Sequence, residues 1–370
     1  MSHATQTGRR QFLTTVGLGG AALLSGCVSA PAAQTNDVDE PAESGPTTEA
    51  AAASLDPAKS VDANRVAADP TAVPDPIDRD EPREVEFTLT AEEVTAEVEP
   101  GVTFDYMTYD GQIPGPMLRV REGDRVRLRF EVPKDENELP HNVDSHAIYG
   151  PGGGAEATTL APGDDAAVIE FTASYPGVHI YHCAVPNMDV HISSGMFGAM
   201  IVEPKEGLPE VDRELYFGQH ELYTTGEVGE EGHHAFDREA MENEDPTYVV
   251  FNGEPYAFTA DGYGPVTVQR DETVRVYFAN GGPNKISSWH PIGNVWSRLY
   301  RDGDVLSDPA RNVETTPVAP GTVTAAEMET PVPGPIKIVD HALSRAGRRG
   351  ALGVVQVEGE ENPDVYDEDA

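Results

Sequence analysis

The sequence predicts an all-β protein made of two tandem β-sandwich domains, and three observations carry that expectation. First, Arg125-Val126-Arg127-Leu128-Arg129-Phe130-Glu131-Val132 alternates strictly between charged and apolar residues, the period of a strand with one buried face. Second, Gly and Pro interrupt the chain at short intervals and no long 3.6-residue period is present, as in short strands joined by turns. Third, the chain repeats itself. REGDRVRLRF at 121–130 is echoed by QRDETVRVYF at 269–278, and GMFGAMIVEP at 195–204 by GALGVVQVEG at 350–359. The offsets, 148 and 155 residues, are those of two related domains in series.

The elements follow in chain order. Residues 1–27 form an address: Gly8-Arg9-Arg10-Gln11-Phe12-Leu13 precedes an apolar, Gly-rich run to Leu24, which resembles a twin-arginine export signal. The run is too short and too Gly-rich for a membrane span. Leu24-Ser25-Gly26-Cys27 resembles a lipoprotein processing site, with Cys27 becoming the lipidated first residue. The alternative, a simple signal peptide cut nearby, leaves Cys27 without a role. Export of the folded protein suits one that acquires its cofactor early. Residues 28–80 are rich in Ala, Pro, Thr, Asp and Glu with almost no aromatic residues, so they cannot bury enough apolar surface to order themselves. They read as a disordered acidic stalk. Domain 1 is expected at 81–205 and ends just after Val202-Glu203-Pro204-Lys205; domain 2 is expected at 206–358, and 359–370 is an acidic tail.

The 370 residues carry 64 Asp and Glu against 25 Lys and Arg, a formal net charge of -39, and only five of the basic residues are Lys. Charge of this sign excludes nucleic acid as a partner, because phosphate is repelled. Self-repulsion also opposes compaction at low ionic strength. In about 1 M salt the Debye length falls to about 3 Å and the repulsion is largely screened. The acid residues run through the whole chain, so the composition reads as the surface of a halophile protein, not as a tail on an ordinary domain.

Candidate metal ligands cluster around one cysteine. Cys183 is the only cysteine of the folded body, which rules out a disulfide within it. It sits in His182-Cys183, followed by His191 and Met196, with His141 upstream. Two His, one Cys and one Met are the borderline and soft ligands of a blue-copper site, the Cys as thiolate and the Met as long axial ligand. Only the first repeat has a Cys in its penultimate strand, so at most one domain holds a thiolate site. Strand parity separates a second set. Adjacent strand residues face opposite ways, so if Cys183 points into the sandwich, His182 points out. His141 and His146 differ in parity, while Asp144 and His146 share one. Cys183 and His141 can therefore serve one metal and His182 and His146 another, with Asp144 beside it. The peptide link between His182 and Cys183 is then a short covalent path for an electron.

PHNVDSHA, YHCAVP and HISSGM, with VVFNG, NGGPNKISSWHPIG, VDHAL and GALGVVQVEG, resemble the copper-containing nitrite reductases over roughly residues 83 to 360. The seven residues between Cys183 and His191 most resemble the short-loop, lipid-anchored subgroup. The resemblance implies Greek-key cupredoxin domains assembled as a homotrimer. It implies one type 1 copper per chain on His141, Cys183, His191 and Met196, which receives electrons. A type 2 copper would sit on His146, His182 and His341, where nitrite binds, His341 reaching the copper of a neighbouring chain. Asp144 and His290 match the catalytic acid pair, acting through a shared water, and Ile292 matches a residue that shapes the substrate pocket. Ser145 departs from the family pattern, where an aromatic residue is usual, and Pro291 stands where a residue with a free N–H is usual. Neither is a ligand; both bear on substrate access and water order. His179, His220, His233 and His234 match no ligand position and read as structural or surface residues, the last two in a Glu- and Gly-rich loop open to adventitious metal.

The implied activity is the one-electron, two-proton reduction of nitrite to nitric oxide in denitrification. A small blue-copper protein or a cytochrome c is the implied donor, and the enzyme would stand on the outer face of the cell membrane. Two other classes compete. A two-domain multicopper oxidase needs a three-copper cluster announced by His-x-His pairs, but Ala184 follows Cys183 and no such pair adjoins it. A simple electron carrier leaves His146, His182, Asp144 and His341 without a task.

Overall fold

The computed structural model describes residues 64–368 and 370. The export signal expected at 1–27, with Cys27, and the stalk up to residue 63 lie outside those residues. Among the described residues no helix is long and apolar enough to cross a membrane. The strands of the first sandwich are β1 (Glu84–Glu99), β2 (Val102–Tyr109), β3 (Gly115–Arg121), β4 (Arg125–Glu131), β5 (Asp144–Ser145), β6 (Ala167–Thr172), β7 (Gly177–His182) and β8 (Phe197–Glu203). Then follow β9 (Arg213–Leu222), β10 (Gly232–His234), β11 (Tyr248–Phe251), β12 (Val266–Gln269), β13 (Thr273–Gly282) and β14 (Ser287–Ile292). The last are β15 (Trp296–Tyr300), β16 (Ala310–Val313), β17 (Thr316–Val318), β18 (Thr322–Glu329), β19 (Gly334–Asp340) and β20 (Leu352–Glu358).

These strands form four sheets, ordered β10-β2-β1-β4-β6 and β3-β8-β7-β5, then β11-β9-β13-β18-β15-β16 and β12-β20-β19-β14-β17. The repeats seen in the sequence are repeats of topology. REGDRVRLRF ends in β4, parallel to β1 and antiparallel to β6; QRDETVRVYF ends in β13, parallel to β9 and antiparallel to β18. In the same way β8 lies between β3 and β7, and β20 between β12 and β19. The alternation in β4 does what its period demands: Val126, Leu128 and Phe130 are fully buried, and Arg125 and Arg127 face solvent.

Three apolar cores result. One fills the first sandwich around Leu89, Phe130, Tyr181 and Cys183, and a second fills the other around Phe217, Phe278, Trp289 and Trp296. The third lies between them, where Phe104, Ile180, Phe197 and Ile201 of the first sandwich meet Tyr216, Leu222, Tyr277 and Val323 of the second. Burial of this much apolar surface fixes the two sandwiches against each other.

Two domain limits differ from the sequence expectation. The stalk expected to run to residue 80 is ordered from Asn64. Val66 and Ala68 are buried, and Asn64 and Ala67 bridge to Ala96 and Ile113. The segment has little apolar density of its own, but it borrows hydrogen-bond donors and acceptors from both sandwiches. The buried Glu254 carboxylate accepts the Val66 and Ala67 N–H groups at 3.1 and 3.3 Å and pairs with Arg65, while Asn252 donates to the Ala68 carbonyl at 2.9 Å. The second difference is β10, expected as a loop of domain 2. It adds to the first sandwich alongside β2, with His233 3.3 Å from Asp105 and His234 buried. The acidic tail is tethered at its start, where Arg270 donates to the carbonyls of Glu360 and Glu361 at 2.8 and 3.2 Å.

Charge is also buried at the junction. Arg119 of the first sandwich pairs with Glu203 at 3.3 Å and with Glu214 of the second at 2.6 Å. Glu214 also takes Arg275 at 3.0 Å, Arg275 takes Glu327 at 2.7 Å, and Arg298 closes the series on Glu327 at 2.8 Å. The Tyr277 hydroxyl accepts from Arg119 and donates to Glu214. Removing one member leaves a buried charge without its partner, which costs about 3–5 kcal/mol. Glu327→Ala should therefore lower unfolding stability by about that amount in denaturant titrations. The loss should persist in molar salt, because Glu327 and Arg275 are shielded from mobile ions.

Candidate metal centres

The first cluster lies at the end of the first sandwich. β7 delivers Cys183 to the interior, a short helix (Met188–Ser193) carries His191, and Met196 stands just before β8. His141 enters from the loop between β4 and β5 and is held by reciprocal backbone bonds with Leu160 at 3.1 and 3.0 Å. All four side chains are buried. The His141 Nδ1 lies 3.9 Å from the Cys183 Sγ and 3.2 Å from the His191 Nδ1. The loop closes on itself: Cys183 N–H donates to the Met196 carbonyl at 3.2 Å, and Met196 N–H to the His191 carbonyl at 3.0 Å. Burial pushes the Cys183 thiol up to about 11, against the pull of nearby backbone N–H groups. Burial, aided by His141, pushes His191 down to about 4, so its ring is neutral near pH 7.

Residues with no signal in the sequence support this cluster. Glu93 on β1 accepts from the His141 Nε2 at 3.0 Å, which places the proton there and leaves Nδ1 bare toward Cys183 and His191. Burial raises the Glu93 carboxyl, but the bonds from His141, Leu139 and Glu138 outweigh it and hold the group below its ordinary range. Asn142 fastens the segment after the cysteine, accepting from Ala184 N–H at 2.6 Å and donating to Thr159 at 3.0 Å.

The second cluster sits on the other face of β7. Antiparallel pairing sets Asp144 opposite His182, and His146 N–H donates to the Ile180 carbonyl at 3.0 Å. Directly opposed residues share a face. Ligand atoms of Asp144, His146 and His182 all lie within 4.8 Å of one another, with the two Nε2 atoms 3.3 Å apart. The His182 Nδ1 donates to the Cys183 carbonyl at 3.1 Å, so its Nε2 is free. Burial, then His182, lower the His146 pKa while Asp144 opposes them. Gly153 was also invisible to sequence reasoning. Its φ is +54°, and a Cβ there would fall 2.1 Å from an Asp144 oxygen, so the Gly-rich turn confines that carboxylate.

His341 does not join this group within the chain. It follows β19 and stands against His290 of β14, the ring centroids 5.1 Å apart. The His290 Nδ1 donates to the Glu314 carbonyl at 2.6 Å, which leaves Nε2 outward. Ile292 is exposed on the same strand, and Pro291 is buried. Asp340, fully buried, accepts the N–H groups of Ser288 and Ala342 and binds Gln219 and Arg345 with its other oxygen. Its bonds fix the turn that presents His341. Ser145 is buried, its hydroxyl accepting from Ala147 N–H at 3.3 Å. His179 stacks edge-on with Tyr175 and belongs to neither cluster.

Among the described residues the chain thus gathers two ligand sets, one inside the sandwich and one outside. The donors of the first set suit copper: two imidazoles, that of His141 with Nδ1 bare, a buried thiol and a buried thioether. Those of the second, two imidazoles facing each other beside a carboxylate, suit a borderline metal.

A multicopper oxidase family profile matches residues 90–207. The chain is 45% identical over 293 residues to the copper-containing nitrite reductase of Neisseria meningitidis serogroup B, covering 79% of this chain and 74% of that protein. The copper-containing nitrite reductase of Neorhizobium galegae is 34% identical over 302 residues, covering 77% and 78%. The solved structure of the copper nitrite reductase from Nitrosomonas europaea superposes with a TM-score of 0.66 at 31% identity, covering 76% of this chain and 96% of that one. Identity of this order over three-quarters of the chain, on two sandwiches that collect these ligands, places the protein in the family of copper-containing nitrite reductases.

Proposed function

We propose that the chain reduces nitrite to nitric oxide, with a type 1 copper on His141, Cys183, His191 and Met196 and a type 2 copper on His146, His182 and His341. The observation that carries this is the pair of ligand sets on opposite faces of β7, joined by the single peptide bond between His182 and Cys183. Bound copper would supply the one-electron redox step and an open position for nitrite. The side chains supply the rest. Nitrite, one electron and two protons give nitric oxide and water, so each turnover needs two proton deliveries. Asp144 lies beside the His146 and His182 rings and can hand over one. His290, its Nδ1–H committed to the Glu314 carbonyl, can take up a proton from water at Nε2 and pass it on as the other. Ile292, exposed beside His290, lines the substrate side.

His290 and His341 stand together, apart from Asp144, His146 and His182, and this separation supports assembly in a ring. A neighbouring chain would bring its His290 and His341 to the open side of the second centre; a head-to-tail contact of that kind closes into a ring, which the family resemblance makes a homotrimer. We further infer export by the twin-arginine route, a lipid anchor at Cys27 on the outer face of the membrane, and a working environment of strong salt. The donor in this reading is a small blue-copper protein or a cytochrome c, docking on local contacts because salt screens long-range steering.

The direct test is anaerobic detection of nitric oxide from copper-loaded protein, nitrite and a chemical reductant in molar salt. Wild type should produce it, and His146→Ala should produce little while losing its type 2 copper. No nitric oxide from protein with both coppers in place would sink the assignment. Asp144→Asn should keep both coppers yet lower turnover about 100-fold, since an amide cannot pass on a proton at this step. Copper uptake at the first centre must displace the Cys183 proton, because that thiol is protonated below about 11. The apparent copper affinity there, measured by chelator competition, should therefore rise by about tenfold per pH unit between roughly pH 7 and 9.

A further inference from the structure

Strand β9 runs along the junction of the two sandwiches, and its alternate residues face opposite ways. Leu215 and Phe217 enter the second sandwich, whereas Tyr216 and Leu222 enter the core between the sandwiches. His220 has the parity of Tyr216 and Leu222. Its ring is fully buried, with its centroid 5.5 Å from that of Phe197, the first residue of β8. There the His220 Nδ1 donates to the Ser193 carbonyl at 2.8 Å. The Ser193 hydroxyl donates in turn to the carbonyl of Glu221, the next residue of β9, at 2.7 Å. Ser193 is the last residue of the helix that carries His191, and it stands three residues before Met196. Consecutive residues of the second sandwich thus hold the turn that supplies two of the four ligands of the first centre. The neighbouring carbonyl, Ser194, is held from within the first sandwich by Met107 N–H at 3.0 Å.

The ring at position 220 is poorly explained by packing. Burial lowers its pKa to about 4, so it is neutral and carries one N–H. The Ser193 carbonyl takes that proton at Nδ1. Nε2 is left as a buried lone pair with no hydrogen-bond partner among the described residues. An unsatisfied buried acceptor is a cost that an apolar side chain of similar size would avoid. What the position uses is the single N–H.

We propose that His220 is a positioning residue for the type 1 copper: its bond to the Ser193 carbonyl sets how His191 and Met196 approach Cys183. The proposal rests on the copper reading above. Such outer partners orient the ligands of a metal and tune its affinity and redox behaviour. This one reaches the centre from the other sandwich, so the ligand turn is aligned across the junction.

The test compares full-length, copper-loaded wild type with His220→Leu and His220→Asn. Leucine fills the space without a donor; the asparagine amide places an N–H where Nδ1 stood. The readouts are the visible spectrum of the type 1 copper, its reduction midpoint, and its retention against a chelator. For His220→Leu we expect a changed ratio of the visible bands, a shifted midpoint and about tenfold weaker copper retention at the first centre. His220→Asn should restore all three toward wild type. A folded, fully loaded His220→Leu protein with wild-type values overturns the proposal, as does His220→Asn matching His220→Leu. If His220→Leu does not fold, His220→Phe, also without a donor, carries the same comparison. A wild type lacking any visible type 1 band instead overturns the copper reading on which the proposal rests.

Discussion

A β-strand turns consecutive side chains to opposite faces, and at the end of β7 this constraint organises the molecule. Cys183 faces the interior with Tyr181, in a core sealed by Phe130 and Val202. His182 faces the other way, beside Asp144 and His146. One ligand set is therefore dry and closed, where a thiol is kept from solvent and the His191 ring stays neutral. The other opens toward the surface, where substrate and protons can arrive. No loop separates the two sets, only one peptide bond. Their relative position is set by the strand and does not depend on how flexible segments settle.

The rest of the fold holds that strand still. β7 packs in the apolar core between the sandwiches through Val178 and Ile180, and the second sandwich answers with Tyr216, Leu222 and Tyr277. Around this core the strap from Asn64, the added strand β10 and the Arg119–Glu214–Arg275–Glu327 series all cross the junction. In a chain with a net charge of -39, the buried Arg119 and Arg275 are paired with Glu203, Glu214 and Glu327. Exposed acid residues meet mobile ions, whereas Glu203, Glu214 and Glu327 at the junction meet arginine. The two populations respond differently to salt for that reason.

Three histidines have their free nitrogen chosen by a bond on the other side of the ring. Glu93 does this for His141, the Cys183 carbonyl for His182, and the Glu314 carbonyl for His290. Asp340 acts on the turn that presents His341. These partners come from β1, the peptide next door, the β16–β17 turn and β19, so local sequence gives no sign of them. Gln219 reaches Asp340 from one face of β9 while His220 reaches Ser193 from the other. A single strand is thus common to the supports of the first ligand set and of the turn that presents His341.

Much was legible in the sequence because it depends on short spacings. The alternation in β4, the two internal repeats and the opposite parity of His182 and Cys183 follow from strand geometry, which acts between neighbours. The same local rule separated Asp144 and His146 from His141. The family resemblance rested on motifs of this kind. What the sequence could not determine depends on residues far apart in the chain. Segment 64–80 looked disordered because its composition cannot form a core alone, yet Glu254 and Asn252, almost 190 residues on in the case of Arg65 and Glu254, give its backbone partners. β10 looked like a loop because its pairing partner β2 lies in the other sandwich. His220 looked merely structural, since nothing in its neighbourhood along the chain names Ser193 as its acceptor. Periodicity is written in adjacent residues; burial and hydrogen-bond satisfaction are settled only when distant strands meet.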